Sequence, residues 1–146
     1  MELKSDLVAT IYLDKKLDNG NQGRTKHWSS AARSRAAWKK AVDGCWIKMK
    51  NGNELHPDDY LECANHSPSQ SRTGLVVTRH LGKGERLWDM DSVLRSSAKE
   101  LIDSIVEAGY IKDDSPKYVA WVVGLQDDSN RAAGPYTTVE IHEVIE

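Results

Sequence analysis

The chain has 146 residues, with 20 Lys plus Arg against 22 Asp plus Glu and 39% hydrophobic residues, which suits one compact globular domain and not a disordered chain. No apolar run approaches the roughly 18–20 residues of a membrane span, so an integral membrane protein is excluded, and two cysteines, Cys45 and Cys63, are too few for a disulfide scaffold. Met1-Glu-Leu-Lys-Ser-Asp shows no basic leader ahead of an apolar stretch, so a reducing, cytoplasmic setting is expected.

Leu7 to Leu13 is short, apolar and β-branched and reads as a buried strand. Asp18-Asn-Gly-Asn-Gln-Gly is a turn-rich loop, since Asn and Gly accept positive φ cheaply. The three- and four-residue steps of Ala31, Ala37, Trp38, Ala41, Val42, Cys45, Trp46 and Met49 predict a helix from about Ser29 to Met49, despite Gly44. Asn51 to Arg72 is polar, carries Asn-Gly, His-Pro and Ser-Pro steps, and reads as a long surface loop pinned by Tyr60, Leu61 and Cys63. Gly74 to Leu81 is a second strand, resumed at Leu87-Trp88. A second helix follows over about Ser92 to Ala108, with Leu94, Ala98, Leu101, Ile102, Ile105 and Ala108 as its apolar face and Gly109 as its C-cap. Lys117 to Leu125 and Tyr136 to Val144 alternate as a closing antiparallel pair joined by the loop from Gln126 to Pro135. The elements sum to one small α/β domain over residues 1–146, a mixed sheet with two main helices.

Charge is distributed unevenly along this domain. From Arg24 to Lys50 eight basic residues face one acidic residue, a net +7, whereas from Asp89 to Glu146 five basic residues face twelve acidic ones, a net −7. Opposite fields of this size suit attraction of a polyanion by one part and a concentration of carboxylates in the other, although a solvated basic helix gives the same count. Arg24, Lys26, Arg33, Arg35, Lys39 and Lys40 are the candidate polyanion contacts. Trp28, beside them, is placed to stack on an unpaired base.

The carboxylates cluster in two short runs. In Trp88-Asp89-Met90-Asp91-Ser92 a strand hands over to a helix, and residues i and i+2 of an extended segment project to the same side. Two such carboxylates repel unless a cation lies between them, and Mg²⁺ prefers carboxylate and water oxygens. Asp113 and Asp114 form another pair beyond the second helix. Each pair alone also reads as a helix cap or a turn. Asp91, Arg95, Lys99 and Asp103, four apart, form one row on the helix, either a cation poised over a phosphate or two salt bridges of about 0.2–0.5 kcal/mol each. His56, Cys63 and His66 hint faintly at zinc but lack a second ligand pair. His27, His80 and His142 read as ordinary surface or strand histidines, and Cys45 as core.

Asp89-Met-Asp91-Ser92, then Lys99-Glu-Leu-Ile-Asp103-Ser-Ile, then Glu107-Ala-Gly109-Tyr-Ile-Lys-Asp113-Asp114 resembles the core pattern of the RusA-type Holliday junction resolvases. That pattern runs Asp-x-Asp-Asn, a Lys, an Asp-Ala-Leu-like step, a Gly and a closing Asp-Asp. The resemblance covers about Leu87 to Val123 well, and more loosely the first strand, the Asn-rich loop and the basic helix. It departs from the pattern at Ser92, where the family has Asn, and in a spacer from Asp91 to Asp103 that is four residues longer. Counting forward sets the family's Lys at Arg95, and counting back sets it at Lys99.

The resemblance implies a RusA-like fold and a homodimer that cuts four-way DNA junctions in recombination and repair with Mg²⁺, Mn²⁺ being a possible substitute. It implies Asp89, Asp91 and Asp114 as the essential acids and metal ligands with Asp113 beside them, and Lys99 or Arg95 as the catalytic cation. A bacterial or phage-infected host cell is its implied setting. The alternatives are a related nuclease preferring flaps, forks or duplex, and a junction- or DNA-binding protein that keeps the fold without catalysis.

Overall fold

A computed structural model describes residues 5–18, 28–65, 72–89 and 91–144. Alternation along the first strand, β1 (Ser5–Leu13), buries Ala9, Ile11 and Leu13 and seeds a six-stranded mixed sheet. With β2 (Trp46–Met49), β3 (Glu54–Leu55), β4 (Thr73–His80), β5 (Val119–Asp127) and β6 (Tyr136–Val144), the strand order is β3-β2-β1-β6-β4-β5. Every pairing is antiparallel except β4 with β5. The last two strands therefore form as the sequence indicates, but they do not pair with each other. β4 lies between them, parallel to β5 from Thr73↔Val119 to His80↔Asp127 and antiparallel to β6. The physical reason lies in the connection: the helical segment after β4 is the long crossover that parallel neighbours require.

The first long helix, α1 (Trp28–Asp43), stops earlier than its apolar stripe suggests. Gly44 interrupts it, and Trp46 to Met49 become β2, with Ile47 paired to Ile11 and fully buried. Cys45 and Met49 fit helical spacing, but with Ile47 between them they also fit strand alternation, and burial in the sheet decides between the two. The segment Asn51 to Arg72 is likewise more than a surface loop. It contains β3 and the helix α2 (Pro57–Asn65), which begins with a Pro in its first position and Asp58 and Asp59 in its first turn. Tyr60 is buried and stacks on Tyr110 with ring centroids 5.6 Å apart. Leu87-Trp88 is not a strand.

The second expected helix is two helices, α3 (Ser92–Arg95) and α4 (Ala98–Ala108), separated at Ser96-Ser97. The Ser97 N–H donates to the Asp18 carbonyl at 3.2 Å, and the Asp18 N–H donates to Ser97 Oγ at 3.1 Å, so the chain bends where it meets the loop after β1. Leu94 is only half-buried, 40% exposed with its Cγ against Gly124 of β5, while Ala98, Leu101 and Ile105 are buried. Gly109 ends α4 in the left-handed region at φ 97°, as an αL cap.

Trp38 and Val42 of α1, Val93 of α3 and Leu101 and Ile105 of α4 share one core with Ile11, Ile47, Leu75, Val77 and Val139 of the sheet. These helices therefore cover one face. Cys45 belongs to this core, as its position suggests, and its Sγ shares a 3.4 Å hydrogen bond with Tyr110 Oη. Burial pushes both groups above their ordinary pKa values, so the pair stays neutral.

On the opposite face the Trp121 indole lies directly over Gly74, its partner in the β4–β5 register, in space that any Cβ would occupy. Gly74→Ala is expected to lower stability by about 1–3 kcal/mol in chemical denaturation. Combining it with Trp121→Ala should cost less than the sum of the single changes.

Candidate active site

The segment joining β4 to α3 is built around Arg79, a guanidinium only 4% exposed on the helix-bearing face of the sheet. Its Nη1 donates to the Arg86 carbonyl at 2.9 Å and to Gln126 Oε1 at 2.8 Å, and its Nη2 lies 3.6 Å from Glu85 Oε2. The guanidinium sits 3.8 Å from the centroid of the Trp88 ring. Burial pulls its pKa below the ordinary value, and Glu85 offsets part of that shift. Gln126 then holds Trp88 from both sides, accepting its N–H at 2.9 Å and donating to its carbonyl at 3.0 Å. A side chain here supplies the two bonds a neighbouring strand would have made, so the segment is ordered without extending the sheet. Arg131 and Glu85 bind the same segment at Gly82.

Arg79 and Gln126 were not singled out from the sequence. The available signal was parity: Leu75, Val77 and Arg79 alternate onto one side of a buried strand, and a cation at the inward position demands acceptors.

Asp89 follows the fixed Trp88 and is exposed, as is Asp91, which occupies the N-cap position of α3 without a side-chain capping bond. Asp91 Oδ2 instead accepts from Arg95 Nη1 at 2.8 Å. Lys99 Nζ and Asp103 Oδ1 are 3.7 Å apart. The expected continuous row is thus two separate pairs, one on each helix, because the bend at Ser96-Ser97 breaks it. Asp113 and Asp114 are exposed in the turn before β5, where Asp113 Oδ1 accepts the Asp114 N–H at 2.8 Å. They follow the far end of α4, whose eleven residues rise about 16 Å. Among the described residues no group of three or more His, Cys, Asp or Glu side chains is placed to hold a metal ion, so Asp89, Asp91, Asp113 and Asp114 are not gathered into one cluster.

Arg33, Arg35, Lys39 and Lys40 are exposed on α1. Lys39 Nζ lies 3.7 Å from Glu107 Oε1 of α4, so the basic helix packs beside the helix that follows the acidic segment. Arg24, Lys26, His27 and His66 lie outside the described residues, as does the side chain of Cys63. His56 is exposed beside Asp58 at 3.7 Å.

The chain matches no protein-family model, no curated protein and no solved structure. The likeness to RusA-type resolvases therefore rests on the motif residues themselves. No helix among the described residues is long and apolar enough to cross a membrane.

His80 lies on the helix-free face, its Nε2 sharing a 2.9 Å hydrogen bond with Thr138 Oγ1. Burial lowers its pKa, with Asp127 and Glu140 pulling the other way. The unfolded chain then binds a proton that the folded chain does not, so stability present above about pH 6.5 is lost as pH falls through the lower folded value. Melting temperature is expected to drop more in the wild type than in His80→Gln between about pH 7.5 and about pH 5; equal drops would refute this role. Arg79→Met is expected to cost about 3 kcal/mol, by stranding the Arg86 carbonyl and leaving Glu85 without its cation, and to speed amide hydrogen exchange across residues 82–89.

Proposed function

We propose that residues 1–146 form a RusA-like, Mg²⁺-dependent endodeoxyribonuclease that resolves four-way DNA junctions as a homodimer in a bacterial or phage-infected cytoplasm. The observation that carries this reading is the pairing of Asp89-Met90-Asp91, at the end of a segment pinned by Arg79 and Gln126, with an exposed basic helix on the same face of the sheet. Hard oxygen donors beside a cationic surface suit phosphodiester chemistry better than a redox or acyl-transfer site.

The donor set fits Mg²⁺ in part. Asp89 and Asp91 supply the one or two carboxylates with which that ion is usually bound, alongside waters and substrate phosphates. Asp113 and Asp114 lie beyond the far end of α4 and stay outside this donor set. Mg²⁺ when bound supplies charge neutralisation and acidifies a water. Arg95, one turn from Asp91, is the cation nearest that acid and offsets charge on the phosphate. Lys99 takes the same role from the start of α4. Arg33, Arg35, Lys39 and Lys40, with Arg24 and Lys26 before them, track the DNA backbone through contacts that are sequence-independent and salt-sensitive. A two-fold dimer presents two sites to a junction that is itself nearly two-fold symmetric.

A second reading, a junction-binding protein on the same fold without catalysis, draws on two observations: the separation of the acid pairs and the engagement of Asp91 by Arg95.

Incubation with a mobile four-way junction and Mg²⁺ or Mn²⁺, beside flap, fork and duplex controls, is expected to give paired symmetric nicks on the junction. Asp91→Asn should reduce cutting by about two orders of magnitude or more. Tight binding without nicks under either ion would establish the second reading, and preferred cutting of a control would redirect the first. Changing Arg33, Arg35, Lys39 and Lys40 to Gln should flatten the dependence of log affinity on log salt by about 0.9 for each phosphate no longer neutralised.

A further inference from the structure

The helix-free face of the sheet carries an arrangement that phosphodiester chemistry does not use. Thr78 of β4 and Thr138 of β6 occupy its centre, and both strands are flanked by longer side chains. The two short residues leave a concavity of about 460 Å³, walled by Tyr12, Tyr136, His80 and Leu125. That volume lies within the range of ligand-binding clefts, about 300–1,000 Å³.

Its walls are ordered by ring stacking. His80 and Tyr136 stack at 4.1 Å with 4° between their planes, and Tyr12 and Trp46 at 3.9 Å with 4°. Tyr12 and Tyr136 join the two stacks at 6.4 Å. A row of stacked rings thus runs beside the hollow from β2 across to β4. Asp127 and Glu140 stand at its border with side chains 42% and 30% exposed, and none of the described residues that line it is a Lys or Arg. Burial keeps His80 neutral at pH 7, so the hollow carries two negative charges.

These features select a ligand class. The two carboxylates repel phosphate, which disfavours a nucleic-acid backbone despite the aromatic rings. Among the described residues the acids and His80 do not make a metal-binding group. What remains is an organic cation able to pack against the aromatic rings while donating to carboxylates, and a guanidinium does both. Leu125, 49% exposed, lines the hollow, and Trp46, 43% exposed, stacks behind Tyr12, so both offer apolar contact to residues flanking such a side chain. The chain's own Arg33 and Arg35 sit on the other face, so docking them here would be a head-to-tail contact and not the two-fold pairing of the nuclease reading.

We propose that this concavity binds the guanidinium of an arginine presented by a protein or peptide partner. The site is independent of the nuclease reading, since it lies on the opposite side of the sheet from Asp89 and Asp91.

The test is a titration of the isotope-labelled chain with N-acetyl-arginine-amide, followed by amide NMR at neutral pH. Saturable shifts are expected at Tyr12, His80, Leu125 and Thr138, with no response to the uncharged N-acetyl-citrulline-amide. The double variant Asp127→Asn, Glu140→Gln should bind about tenfold more weakly while its remaining spectrum stays that of the wild type. Tyr12→Ala provides a separate check that keeps both carboxylates. Four outcomes overturn the proposal: no saturable shifts on this face, shifts unaffected by the double variant, equal binding of N-acetyl-lysine-amide, or the same amides responding to a single-stranded oligonucleotide instead. A dimer that seals this face in solution, seen by sedimentation, overturns it as well.

Discussion

A guanidinium taken out of water must be met by acceptors wherever it ends up, and at the end of β4 that requirement organises the next stretch of chain. The sheet itself has few acceptors to give at Arg79, because ladder carbonyls are already engaged. The acceptors come instead from the segment after β4, through the Arg86 carbonyl and Glu85, and from Gln126 on the next strand. Satisfying one buried charge therefore fixes the path of the chain from Gly82 to Trp88. Asp89 and Asp91 inherit their position from that path. A hydrophobic residue at 79 would suit the core equally well by area but would remove the bonds to Arg86 and Glu85 and leave the segment to its Gln126 and Arg131 contacts, which is the specificity role open to a buried ionic group.

The same strand separates two chemistries by parity alone. Leu75, Val77 and Arg79 face the helices, while Gly74, Val76, Thr78 and His80 face away from them. On one side lie the helical core, the basic helix and the acidic segment. On the other, Gly74 yields room to Trp121, and Thr78 yields room to the hollow between His80 and Leu125. A one-residue slip of β4 would exchange these sets and bury His80 while exposing Arg79, so the register is strongly determined.

Much of this was legible wherever a single local pattern dominates. The first strand, the strand from Gly74, the last two strands and the Gly109 cap follow from alternation and from the conformational freedom of glycine. What escaped is what depends on distant partners. Trp46 to Met49 is a strand because Ile11 is there to receive Ile47, and no window of sequence contains both. The position of β4 between β5 and β6 is set by a crossover whose length was visible but whose destination was not. Asp58 and Asp59 after Pro57 were a helix-start signal outweighed by the surrounding turn residues. The acid pairs flank a helical segment, as the sequence indicates, but their separation depends on the direction of that segment, which periodicity does not encode.

The bend at Ser96-Ser97 bears on which cation serves Asp91. A four-residue insertion into one continuous helix would preserve its face, and Arg95 and Lys99 would then be equivalent rungs of one row. Two helices remove that equivalence. Arg95 moves with α3 and with Asp91, to which it is bonded at 2.8 Å, whereas Lys99 belongs to the first turn of α4 and faces Asp103. Ser97 also ties the bend to Asp18, which follows β1. Arg95 stands on the other side of the bend, on the part of the chain fixed by Arg79 and Gln126. On the nuclease reading, the two cations are therefore assigned to different supports: Arg95 to the fixed acid segment, and Lys99 to α4, which is tied at Ser97 to Asp18.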